Sequence, residues 1–147
     1  MQALVTKLVP DDDKAVTCLK LSQWPRSRLF GPWDSQAAMW NECYEETAGK
    51  YVIICDQWAR PNRQHLDELI TLLEFGYGLV DLGNFNLFGF HKNLICRTGK
   101  FDERVIRFND AAWDLILRMR ERYVAVYRSK ICPLGSHKHQ YPWDTDD

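Results

Sequence analysis

A chain of 147 residues, 46% apolar and 27% charged, has the length and composition of one globular domain, which at this size buries roughly 68–70% of its accessible surface. That composition excludes intrinsic disorder, no apolar run reaches the ~20 residues of a membrane-spanning helix, and the start MQALVTKLVPDDDK lacks the order of a signal peptide. The net charge of −1 hides an uneven spread: nine acids against three bases over 31–81, and nine bases against five acids over 97–130.

Residues 3–9 (ALVTKLV) and 15–21 (AVTCLKL) are β-rich runs split by Pro10 and three aspartates, which reads as a hairpin with a longer loop. The DDD run is a solvated turn, since Ala15 stands where a calcium loop would continue with an oxygen ligand. SQWPRSRLFGPWD (22–34) is irregular, with Trp24, Phe30 and Trp33 in need of apolar cover. Asp34 or Ser35 caps a helix running to about Ala48, with Gly49 as its left-handed stop. Ala37, Trp40, Cys43, Tyr44 and Ala48 recur at helical steps and face inward, while Asn41, Glu42, Glu45 and Glu46 face out.

YVIICD (51–56) is a continuous apolar run, the pattern of a strand buried on both faces. Asn62 then caps a helix to Phe75, stopped by Gly76, with Leu66, Leu69, Ile70 and Leu73 inward. From Tyr77 to Phe108 short β-like runs take over: GLVDL, NFNLFGFH, NLICRT and RVIRF. In NFNLFGFH the neighbours Leu87 and Phe88 break strict alternation. A β-bulge at 87–89 restores it, placing Phe85, Leu87, Phe88 and Phe90 on one face and Asn84, Asn86 and His91 on the other. A tight turn at Lys92-Asn93 leads to the next strand.

Asn109 caps a last helix over about 110–128, buried along Ala112, Ile116, Met119, Tyr123 and Val126. Arg118 and Arg122 share its other side, and Asp114 stands four residues before Arg118, the spacing of a local ion pair. PLGSHKHQYPWDTDD is a tail, loose or docked. The order of elements predicts a single α+β domain over residues 1–130, an antiparallel or mixed sheet with about three helices, followed by the tail at 131–147.

Five cysteines, at 18, 43, 55, 96 and 132, form no CxxC pair and are odd in number. Cys18, Cys55 and Cys96 lie in apolar runs, where a thiol behaves as a small hydrophobe. Reduced thiols and a cytoplasmic location are the expectation.

The motifs narrow the chemistry. Phe88, Phe90 and Phe101 with Lys92, Arg97 and Lys100 supply the parts of a base-stacking platform, but Leu87 and His91 stand where the RNA-binding signature needs glycine and valine. Core packing is the better account of these rings. RTGKF lacks the first glycine and the Ser or Thr of a phosphate loop, and GYGLVD has Asp81 in place of the third glycine of a dinucleotide fingerprint. His137 and His139 in the tail are too few for a zinc site. No metal or cofactor is implied.

Three functions remain as expectations. The first is a non-enzymatic interaction or regulatory protein, such as a small inhibitor of the kind phages and mobile elements encode. It would meet a protein partner through the acids Glu42, Glu45, Glu46, Asp67, Glu68 and Glu74. The competing account of the charge asymmetry is attraction between the two regions inside the molecule. The second function is nucleic-acid binding through Lys92, Arg97, Lys100, Arg104, Arg107, Arg118 and Arg122. The third is a small enzyme in which Asp56, at a strand end, orients His65 as a base while Arg60 and Arg63 hold an anion.

Overall fold

YVIICD, with no helical period and no polar face, becomes the strand Tyr51–Asp56 (β3). In the computed structural model the described residues are 5–6, 16–21, 35–46, 49–56, 63–105 and 109–129, with backbone alone at 5–6, 16–21 and 56. The remaining strands are Val5–Thr6 (β1), Val16–Leu21 (β2), Leu79–Asp81 (β4), Leu87–His91 (β5) and Val126–Arg128 (β6). They lie in the order β1-β2-β3-β5-β4-β6. β2 runs parallel to β3 and β6 parallel to β4, while the other neighbours are antiparallel. The sheet is therefore mixed and the fold α+β, as the order of elements predicted. The N-terminal hairpin is present in short form, with Val5 opposite Leu19.

Three helices pack on this sheet: Gln36–Glu46 (α1), Arg63–Phe75 (α2) and Asp110–Glu121 (α4). A single helical turn, Ile95–Thr98 (α3), follows a 3₁₀ turn at Lys92–Leu94. Ser35 opens α1, its Oγ accepting the Ala38 amide at 3.0 Å. None of the described helices is long and apolar enough to cross a membrane.

Helices cover both faces of the sheet, giving two cores. On one face, Trp40 and Cys43 of α1 and Leu115, Ile116 and Met119 of α4 meet Val52, Ile54, Phe88 and Phe90. On the other, Leu66, Leu69 and Leu73 of α2 meet Tyr51, Ile53, Val80 and Leu87. Among the described residues, the buried phenylalanines and Trp40 gather in the first core. Trp40 lies 5.0 Å from Phe101 and edge-on to Phe88 at 5.1 Å, and Phe90 meets Phe101 at 6.0 Å. Such pairs add about 0.5–1.5 kcal/mol each beyond their buried area. These phenylalanines belong to the interior and offer no surface for stacking bases.

The two-sided cover corrects the bulge expected at 87–89. The register runs unbroken from Tyr51 opposite His91 to Cys55 opposite Leu87. Leu87 and Phe88 are consecutive and both buried because each has its own core to enter. Gly89 has a separate task. A Cβ there would lie 2.8 Å from Leu69 Cδ2 and 3.2 Å from the Val52 carbonyl oxygen, so the missing side chain lets α2 settle onto the sheet.

Other expectations also need correction. NLICRT is not a strand: Leu94, Ile95 and Thr98 are buried at helical spacing, and the Thr98 hydroxyl donates to the Leu94 carbonyl at 3.1 Å. Cys96 is consequently exposed, whereas Cys43 and Cys55 are buried. Burial, followed by the charges of Glu46 and Glu42, pushes the Cys43 thiol far above its ordinary range. The last helix ends at Glu121 instead of continuing to 128, and Tyr123 turns outward. Asn109 has φ 63° and makes no side-chain cap. Its amide donates to Gln36 Oε1 at 2.8 Å, joining α4 to α1.

Asn41, expected outside, is buried. Its side chain accepts the Phe101 amide at 3.0 Å and donates to the Phe101 carbonyl at 2.9 Å. The expectations for Trp24, Trp33, Trp58, Trp143 and the tail at 131–147 fall outside the described residues.

Replacing Gly89 with alanine forces α2 off the sheet and should destabilise the fold by about 1–3 kcal/mol. Urea unfolding measures this. In a double-mutant cycle the loss should be smaller in a Leu69→Ala background, which removes the closest clash.

Candidate binding site at the end of the sheet

β4 and β5 are joined by a tight hairpin whose turn residues, Asn84 and Phe85, both have positive φ, 50° and 66°. The Asn86 amide donates to the Gly83 carbonyl at 2.9 Å, closing the turn. Phenylalanine is costly in that backbone region, and Asp81 holds it there. Its Oδ1 accepts the amides of Gly83 at 3.1 Å and Phe85 at 2.8 Å, and its Oδ2 accepts Arg128 Nε at 3.0 Å. The Asp81 side chain is wholly buried and Arg128 about a quarter exposed. The Arg128 guanidinium lies 4.8 Å from the Phe85 ring and 4.3 Å from the Trp113 ring. It thus joins β6 to α4 as well as to β4.

Beyond this ion pair, the Ser129 amide donates to the Asp81 carbonyl and the Gly78 amide to the Ala125 carbonyl, each at 2.8 Å. Gly78 has no room for a side chain, because a Cβ would overlap Val124 Cγ1. The α4–β6 turn is closed by the Val124 amide on the Met119 carbonyl at 2.9 Å, with Tyr123 at φ 57°. That backbone holds Tyr123 almost fully in solvent, 97% exposed.

The opposite wall begins at the end of α2. His91 Nε2 lies 2.9 Å from the Leu73 carbonyl. A carbonyl only accepts, so Nε2 carries the proton and Nδ1 is the ring's remaining polar atom. The ring is further fixed edge-on to Tyr51 at 5.0 Å. Between the walls lies a cleft of about 420 Å³, lined by His91, Asn93, Leu94 and Arg97 on one side and Tyr123–Ala125 on the other, with Gly76 and Gly78. That volume falls within the ~300–1,000 Å³ of ligand clefts. Its lining residues include one guanidinium and no carboxylate.

The residues singled out from sequence are distributed differently. Glu42, Glu45 and Glu46 ride on α1 while Asp67, Glu68 and Glu74 ride on α2, and these helices cover opposite faces of the sheet. Lys100 is bonded to Glu45 at the surface, one ion pair between the acidic and the basic region. This hydrogen bond raises the Lys100 pKa. Arg63 pairs with Asp67 at 2.9 Å, as Arg104 does with Asp102.

Arg118 pairs with Asp114 at 2.9 Å, as its spacing predicted, and also donates to the carbonyls of Thr98 and Lys100. Lys92 stands 5.3 Å from the Tyr44 ring centre. Arg97 and Arg122 are exposed, and Arg107 lies outside the described residues. His65 is half-buried in the first turn of α2. The Asp56 side chain and the loop at 57–62 fall outside the described residues, as do His137 and His139. No cluster of metal-ligating side chains occurs among the described residues.

Of the cleft, only Arg97 was marked by its charge. His91 was read as part of a strand face and Tyr123 as part of a helix stripe. What brings them together is the positive φ at Tyr123, which a tyrosine does not advertise.

Converting Asp81 to asparagine removes the charge that answers Arg128 and should cost about 3 kcal/mol in urea unfolding. At the surface, hydrogen bonds from Arg104 hold the Asp102 carboxyl down at about 2. The depressed value means that this pair supports the fold above the ordinary carboxylate range and loses that contribution as pH falls through about 2. A carboxyl-carbon NMR titration should give that midpoint, and Arg104→Ala should return it toward the ordinary ~3.9. No protein-family model and no curated protein sequence matches the chain.

Proposed function

We propose that this chain is a non-enzymatic binding protein that engages a protein partner at the end of the sheet where β4, β5 and β6 meet the turns beside them. The supporting observation is a group of large aromatics left in solvent around the cleft. Tyr123 is 97% exposed and Phe75 81%. Phe75 precedes the cleft residue Gly76 and stacks on Tyr77 at 6.0 Å, and Tyr77 meets Tyr127 of β6 edge-on at 5.4 Å. Aromatics standing in water around a concave site are the residue type that anchors protein interfaces.

The acidic residues take a supporting place in this reading. Because α1 and α2 sit on opposite faces, their carboxylates steer a partner by long-range charge more readily than they form one docking patch. Nucleic-acid binding ranks second, since Lys100, Arg104 and Arg118 are each already paired with a carboxylate of the same chain, which phosphate would have to displace.

Crosslinking capture from the source cell, with the wild-type chain beside a Phe75→Ser/Tyr123→Ser variant of unchanged circular dichroism and melting, tests the proposal. Burial of one such ring is worth about 1.5–3 kcal/mol. The double variant should therefore lose at least about tenfold in affinity for a protein captured by the wild type. Equal capture by both proteins would overturn it, as would capture of nucleic acid alone with a steep loss in salt.

A further inference from the structure

We propose that the cleft receives an acidic residue of a partner polypeptide, its carboxylate paired with Arg97 and a backbone amide beside it donating to His91 Nδ1. The inference rests on the binding role proposed above and specifies the ligand chemistry of that site.

Charge supports it first. Arg97 is exposed at the cleft and makes no ion pair among the described residues, whereas Arg63, Lys100, Arg104, Arg118 and Arg128 each have one. With no carboxylate among the lining residues, the local field favours an anion, and a guanidinium presents a planar fork suited to carboxylate oxygens.

The imidazole supports it second. His91 commits Nε2–H to the Leu73 carbonyl, which leaves Nδ1 as the ring atom available to a ligand. In its unprotonated form that atom accepts an amide N–H, which a peptide backbone supplies and a phosphate diester does not. The cleft therefore asks for a ligand bearing both an anion and an N–H donor, which an acidic peptide supplies. Asn93, exposed at the same wall, carries an amide able to donate and accept. Leu94, Tyr123 and Val124 add apolar surface for the side chain next to the acid.

The test is an NMR titration of the full chain, following the Arg97 Nε–H, His91 ring and Tyr123 ring signals. The probes are a blocked pentapeptide with a central glutamate between leucines, its glutamine counterpart, sodium acetate and inorganic phosphate. The glutamate peptide should bind at least tenfold more tightly than the glutamine peptide or acetate. Arg97→Gln should remove that preference while leaving the glutamine peptide's affinity unchanged, a result that a merely structural role for Arg97 would not give.

Equal binding of the two peptides, no response to either at millimolar concentration, or tighter binding of phosphate than of the glutamate peptide would overturn the inference. The two proposals separate in the capture experiment. If Arg97→Gln retains the partner that Phe75→Ser/Tyr123→Ser loses, the binding face stands and the carboxylate assignment falls.

Discussion

A single buried carboxylate governs the architecture around the cleft. Asp81, wholly buried, would be intolerable as a bare charge, and an unpaired ion in such a place costs several kcal/mol. Two backbone amides and the Arg128 guanidinium answer it. Each donor fixes a different piece of chain: the amides shape the β4–β5 turn, and the arginine draws β6 to the edge of the sheet. Stacked near Phe85 and Trp113, the same arginine also touches α4. The cleft follows from this arrangement, since one wall continues from β6 and the other from β5.

The sheet's second constraint is that both faces of its central strands β3, β5 and β4 are covered. Apolar residues can stand side by side along β5 because each enters a separate core. Gly89 is the exception that permits it, leaving room for Leu69 of α2 where any side chain would collide. Among the described residues, the aromatic rings then show two uses. Trp40, Phe88, Phe90 and Phe101 fill the core beneath α1 and α4, while Phe75 and Tyr123 stand in water beside the cleft.

Much of the fold was legible because local and global preferences agree. Ser35 before an apolar helical row, the unbroken run YVIICD, and Leu66, Leu69 and Leu73 at helical spacing each specify the element they form. The misreadings have physical causes. A bulge at 87–89 was required only if one face of the sheet met solvent. NLICRT looks like a strand by composition, yet the 94, 95, 98 spacing of its buried residues is helical. Asn41 reads as a surface residue until the Phe101 backbone, sixty residues away, supplies its partners. The candidate site was the least visible part, because a charge asymmetry along a chain says nothing of which charges neutralise each other. Lys100 and Glu45, fifty-five residues apart, do so, while Arg97 retains its charge at a cleft.

The attachment of β6 bears on the order in which the molecule assembles. Its arginine must find a carboxylate 47 positions earlier in the chain, and loop entropy makes such distant pairings slower to form than local helices and hairpins. The same strand lies at the margin of the sheet, where Val126 and Tyr127 are only half-buried against the two cores, so it can detach while the centre persists. Such fraying would dissolve one wall of the cleft without unfolding the protein, and a bound partner that bridges the walls would suppress it. Under the proposed binding role, occupancy and local order at this edge would be one equilibrium.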